Sequence, residues 1–273
     1  MKLFHGTSGF SYKEWKGPFY PDDLPASRML DYYSSRLPAV EINNTFYRLP
    51  RAEMLAKWRE TVPDGFRFVL KASQRITHKH RLEGAQDAVR YLVETSQHLG
   101  SRRGPFLIQL PPYLRKDVER LAQFLDEWPK EARAAFEFRH LSWFDQDVLD
   151  VLRDGGAALC LADPAKGGED GGARSDQAGD GEGEGGEGAS EPRVPELVAT
   201  ASWGYLRLRR EGYDEAALHA WARRVREQGW DEVYVFFKHE DAGAGPRLAA
   251  RFAEAFHLLS GDVLPDDGSG AGG

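Results

Sequence analysis

Short stretches in which apolar and polar residues alternate recur along the chain, and most are followed by a longer stretch with apolar residues three and four apart. The clearest of the former is Ala134 to Trp143, AAFEFRHLSW, read as a strand with Phe136 and Phe138 on one face and Glu137 and Arg139 on the other. The same pattern returns in AVEINNTFY from Ala39, where Val40 and Ile42 oppose Glu41 and Asn43, and in WGYLRLRR from Trp203, where Leu206 and Leu208 oppose Arg207 and Arg209. FRFVLKA from Phe66 is apolar up to Lys71, and FLIQL from Phe106 has Gln109 as its only polar residue. Ala157 to Ala162 ends on Asp163, and Glu232 to Phe237 runs into Lys238, His239 and Glu240. Leu3 and Phe4 make a first strand that opens into a small-residue loop, His5 to Gly9.

Helical spacing predicts helices over 27–37, 51–62, 83–99, 116–128, 146–153, 214–228 and 247–259. In the first, Met29, Leu30, Tyr33 and Leu37 share a face, Ser27 is a candidate N-cap, and Pro38 stops the helix. Strand and helix therefore alternate eight times, with helical signal weakest after the sixth strand. Residues 165–193 fall there, rich in glycine and acidic residues, with almost nothing apolar to bury. Burial cannot offset an ordering cost of about 1 to 2 kcal/mol per residue, so this acidic insertion and the tail 263–273 are expected to be disordered. Without the insertion the body is about 240 residues, close to the roughly 250 typical of a TIM-like (β/α)8 barrel. The expectation is an α/β single domain of that kind over residues 1–262. A doubly wound open sheet would call for GxGxxG or GxxxxGK[ST] after a strand, and outside the glycine-rich insertion and tail neither occurs.

Composition changes this picture little. Much of the net charge of −7 lies in the insertion, leaving a nearly neutral body with many arginines. The one cysteine, Cys160, sits in an apolar run, reads as a buried thiol, and excludes an internal disulfide. No run approaches about 18 apolar residues, and MKLFHGTSG has no apolar signal region, so a soluble cytoplasmic protein without membrane association is expected.

In a barrel the outward strand faces lie under helices, so the polar positions face inward. Glu41, Asn43, Gln109, Glu137, Arg139, Arg207 and Arg209 then share the interior, where each costs several kcal/mol unless paired. Pairing of Glu137 with Arg139 or Arg207 would meet that demand. Lys71, His140 and Asp163, at strand ends, would lie on the C-terminal rim, where barrel enzymes bind substrates. Ser8 and Tyr12 add hydroxyls from the first loop. His78 and His80, in ITHKHRL, read as polar loop residues, since two histidines alone do not make a metal site.

The chain resembles the DUF72 family, also called YecE-like, through GTSGFSYKEWKGPFYP from Gly6, VEINNTFYRLP from Val40, FRFVLKASQRITH from Phe66, LIQLPP from Leu107, FEFRHLSWF from Phe136 and YLRLRR from Tyr205. The resemblance implies a TIM-barrel-like fold and no settled activity. Arg209 and Arg210 stand where the family usually has a histidine-glycine pair, and Lys238, His239 and Glu240 where it has asparagine-rich residues; Glu41, Lys71, Glu137, Arg139 and Arg207 are in place.

Three functions compete. The leading one is a barrel enzyme of the hydrolase, lyase or isomerase kind, doing acid–base chemistry on a small anion such as a sugar phosphate or carboxylate. In it Arg139 and Arg207 hold the anion, Lys71 or Glu41 moves the proton, and Glu137 orients the arginines. Ser8, Tyr12, Asn43, Gln109, His140, Trp143 and Asp163 complete the expected binding set. No cofactor is predicted. A divalent metal held by Glu41, Glu137, Asp163, and His140 or His239 is the second alternative, although the arginines would repel it. The third is a nucleotide- or RNA-binding module that stacks bases on Tyr12, Trp15, Phe46, Tyr47 and Trp143 and meets phosphates with Arg48, Arg51, Arg75 and Arg81; nucleic acid is not the favoured partner.

Overall fold

The computed structural model describes residues 1–163, 197–210, 212–238 and 243–259. The insertion at 165–193, the tail at 263–273, and His239 and Glu240 lie outside them.

Eight parallel strands close on one another in sequence order. They are β1 (Lys2–Ser8), β2 (Ala39–Ile42), β3 (Arg67–Lys71), β4 (Arg103–Gln109), β5 (Ala134–Glu137), β6 (Ala158–Asp163), β7 (Trp203–Leu208) and β8 (Glu232–Phe237), and β8 pairs back onto β1. The helices among the described residues are α1 (Met29–Ser34), α2 (Ala52–Thr61), α3 (Gln86–Ser96), α4 (Val118–Glu127), α5 (Gln146–Asp154), α6 (Glu215–Arg226) and α7 (Ala244–Leu258). This is the expected (β/α)8 barrel. None of the helices among the described residues is long and apolar enough to cross a membrane.

Side-chain alternation divides the apolar residues into two layers, as the period of a strand requires. Phe68, Leu70, Phe106, Ile108, Phe136, Leu206 and Val235 point outward and join the core under the helices. Phe4, Val69, Leu107, Cys160, Trp203, Tyr205, Tyr234 and Phe236 fill the barrel itself. Phe4 stacks on Tyr234 with ring centres 4.8 Å apart, and the Arg133 guanidinium lies 5.2 Å from the Trp203 ring, so the N-terminal end of the barrel is plugged. The polar layer can therefore be reached only from the C-terminal end.

Several boundaries differ from the sequence reading. β1 continues through the residues expected to form a loop, because Gly6 and Thr7 pair with Ala39 and Val40 of β2. β2 stops at Ile42, and Asn44–Phe46 turn as a 3-10 helix; β5 stops at Glu137, and Leu141–Trp143 do the same. In both places alternation runs at most two residues past the hydrogen-bonded ladder and breaks at adjacent polar residues, Asn43–Asn44 and Arg139–His140. Ser27 lies inside a 3-10 turn, Ala26–Arg28, and caps nothing. Residues Arg75–Lys79 form a π-helical turn, so His78, expected in a loop within ITHKHRL, stands in that turn. Helices α4, α5 and α6 start within two residues of the expected positions, and Asp117, Asp145 and Asp214 cap them, each accepting a backbone N–H.

Candidate functional site

The polar side chains of β1, β2, β4, β5 and β7 meet in one network at the C-terminal end of the barrel interior. Arg207, 2% exposed, is its centre. Its two terminal nitrogens donate to different carboxylates, Nη1 to Glu137 Oε2 at 2.6 Å and Nη2 to Glu41 Oε1 at 2.9 Å. Glu41 also accepts from the Ser8 hydroxyl at 2.7 Å, Asn43 Nδ2 at 3.1 Å and the Tyr205 hydroxyl at 2.6 Å. Glu137 accepts from Gln109 Nε2 at 2.9 Å and, more weakly, from Arg209 at 3.4 Å. Thus Glu137 pairs with Arg207, one of the two partners expected for it.

Burial, the largest single influence, would push both glutamates up, but Arg207 and the other donors together outweigh it. Together with the Tyr205 and Ser8 hydroxyls, Arg207 holds Glu41 below the usual carboxylate range, and with Arg209 it brings Glu137 down to about 2. Both are therefore carboxylates at neutral pH with their oxygens engaged. A carboxylate held ionised by such neighbours is a weak proton acceptor, which counts against Glu41 as the group that moves the proton. Arg207, buried, spends one N–H of each terminal nitrogen on these carboxylates and supports the floor of the site. Arg207 Nε and Asn43 Oδ1 are buried with no partner among the described residues.

Other expected residues divide between rim and packing. Lys71 and Arg139 are half-buried at the ends of their strands, and the Lys71 ammonium lies 4.7 Å from the centre of the Phe46 ring. Asp163 is buried and accepts from the Tyr213 hydroxyl at 2.5 Å. Tyr12 donates to the Ser8 carbonyl at 2.6 Å, so neither that hydroxyl nor Ser8 Oγ is turned to a ligand. His140 accepts from the Ser142 amide at 3.1 Å and caps the turn that follows it. Trp143, expected among the binding residues, is buried, stacked on Phe138 at 4.7 Å, and its Nε1 donates to the Leu114 carbonyl. Trp15 is buried too, which removes it from any base-stacking surface, whereas Tyr47 is 59% exposed.

Two residues of the site escaped the sequence reading. Tyr205 was legible, since it shares strand parity with Arg207 and Arg209. His78 stands in the π-helical turn after β3, its ring edge-on to Phe46 at 4.9 Å. Burial, then the nearby Lys71 and Arg139 charges, lower its pKa, so it is neutral at pH 7. Cys160 is buried beside the network and burial raises its thiol pKa well above the usual value, which fits an inert packing role. Among the described residues no group of three or more His, Cys, Asp or Glu side chains could hold a metal ion.

The family described as "Protein of unknown function DUF72" matches residues 4–268. Over 116 residues the chain is 34% identical to the UPF0759 protein YecE of Escherichia coli strain K12, which covers 42% of this chain and 43% of that protein. It is 31% identical over 135 residues to the UPF0759 protein YunF of Bacillus subtilis strain 168, covering 46% and 47%. The matched stretch thus spans less than half the length of either curated relative. The crystal structure of a DUF72 family protein from Thermotoga maritima covers 96% of this chain and 100% of its own at a TM-score of 0.71 and 24% identity, a likeness of fold.

Proposed function

The chain belongs to the DUF72 family, and we propose that the C-terminal mouth of its barrel binds a small anionic substrate, a sugar phosphate or carboxylate, and carries out acid–base chemistry on it. The observation that carries this reading is a charge imbalance at the mouth. Lys71, Arg139, Arg207, Arg209 and Lys238 outnumber Glu41, Glu137 and Asp163 among the described residues at the strand ends. The two glutamates are matched by Arg207 and Arg209, and the excess of cationic over carboxylate side chains at these positions favours an anionic ligand. Lys71 and Arg139 are the anion-holding residues in this reading. The Lys71 ammonium lies over the face of the Phe46 ring, a contact that holds its head group in place at the mouth. A cytoplasmic location belongs to the same proposal, supported by a single buried cysteine.

Thermal unfolding in a panel of phosphate, sugar phosphates and dicarboxylates tests it. A ligand at one hundred times its Kd adds about 2.7 kcal/mol, a shift of several degrees. We expect such a shift with at least one anion, and its loss in Arg139→Ala. A flat response across the panel, with no small anion retained in native mass spectrometry, would end the proposal.

The nucleic-acid reading keeps one specific support. Tyr47 and Tyr113, on loops at the same end of the barrel, are each 59% exposed, and the Arg81 guanidinium lies 5.6 Å from the Tyr113 ring. Single-stranded RNA binding that weakens steeply with salt would favour it over the small anion.

A further inference from the structure

We propose that His78, through Nε2, is the catalytic group that transfers the proton at this mouth, an inference that rests on the anion-binding reading above. The mouth needs a group that can both accept and release a proton near neutral pH. Glu41 and Glu137 are locked by Arg207, Asp163 is engaged by Tyr213, and His140 caps its own turn. His78 is placed differently. Its Nδ1 lies 2.8 Å from the hydroxyl of Thr77, a fully buried residue, which fixes the ring and leaves Nε2 as the atom for exchange. Phe46 joins the histidine to the anion-holding side: its ring meets the His78 imidazole at 4.9 Å and the Lys71 ammonium at 4.7 Å.

The backbone around His78 is unusual in a way that regular structure does not require. The turn Arg75–Lys79 is π-helical, and two non-glycine residues just beyond it, Arg81 and Leu82, have φ of 52° and 75°. Such conformations are costly, and they cluster where a side chain must be aimed. The charged groups that face the imidazole are Lys71, from the end of β3, and Arg139, from the end of β5, and both favour its neutral form, the form that accepts a proton.

The chemistry balances without a further reactant. An acidic C–H or O–H of the bound anion breaks, its proton passes to Nε2, and the bonding pair stays on the substrate, where Lys71 and Arg139 offset the new charge. The imidazolium then returns the proton to another substrate atom, giving isomerisation, or to a leaving group, giving elimination.

Linkage supplies a test that needs no knowledge of the substrate. An anion bound beside His78 must raise its titration midpoint, and by the same factor the protonated protein must bind the anion more tightly. The probe is inorganic sulfate, whose charge is constant over the range. Imidazole resonances of the full chain are followed by NMR from about pH 5 to 8, with His78 assigned by its absence in His78→Gln. The expected result is a midpoint below the ordinary value of about 6.5 without sulfate, rising by about one unit at saturation, which corresponds to tenfold tighter binding to the protonated form. In His78→Gln, sulfate affinity should persist and lose this pH dependence. Sulfate binding that is abolished by Arg139→Ala yet leaves the His78 midpoint unmoved would overturn the role of His78 and spare the anion site. Absence of saturable sulfate binding would overturn both.

Discussion

At the scale of single residues, Arg207 decides the chemistry of the barrel interior. Burying one guanidinium with two carboxylates costs several kcal/mol per ion, which the two short ion pairs and the hydroxyl and amide donors around them must offset. Arg207→Met leaves both carboxylates buried against an apolar neighbour. A loss of at least about 3 to 5 kcal/mol is expected, as for a buried pair deprived of one partner. The pH trend should also change sign. With Arg207 gone, burial raises Glu41 above its ordinary range, so the variant holds its protonated form at low pH and loses stability as pH rises. Urea unfolding should therefore find the variant more stable at about pH 5 than at about pH 7.5, while the natural chain, whose carboxyls are depressed, shows no such fall over that window. A variant with the natural pH profile would show that Arg207 does not set these two titrations.

At the scale of elements, alternation made the strands and their inward faces legible, and it put Arg207 among the two partners expected for Glu137. What it could not mark was where pairing ends. Phe138 continues the pattern of β5, yet it stacks on Trp143 beyond the ladder, because an aromatic residue meets its burial requirement either way. Nor does a local pattern signal a π-helical turn, so His78 read as one polar residue among several. Close approach is the other feature alternation hides. An ideal Cβ at Gly6 would sit 1.9 Å from the Ala39 carbonyl oxygen and 2.9 Å from the Tyr33 hydroxyl, which itself donates to that carbonyl. At Gly204 the Cβ would instead meet the Trp230 ring at 2.3 Å. Backbone fixed in a ladder cannot yield as a loop tryptophan can. Gly6→Ala should therefore cost about 3 kcal/mol or more, at the top of the range for overpacking, and Gly204→Ala less, nearer 1. Equal losses in chemical denaturation would contradict this ordering.

At the scale of the whole molecule, the ion pairs tie distant parts of the chain across the barrel. Arg207 on β7 reaches Glu41 on β2, 166 residues away in sequence, and Glu137 on β5, 70 residues away. These ties depend on ionised carboxylates, so acid should loosen the barrel as one unit. The sign follows from the shifts: a carboxyl depressed in the folded state stabilises above its unfolded pKa, and that contribution is lost as pH falls through its folded value. For Glu137 the window runs from about 4.3, the ordinary glutamate value, down to about 2. The stability at stake is on the order of 3 kcal/mol. Glu137→Gln, less stable at neutral pH, should lose correspondingly less between about pH 5 and pH 2.5, so that the two stability curves converge on acidification. Tryptophan fluorescence and circular dichroism should report the same transition, since β2, β5 and β7 are joined through a single guanidinium. Parallel acid curves for the two proteins would place the acid sensitivity of the barrel elsewhere than in this network.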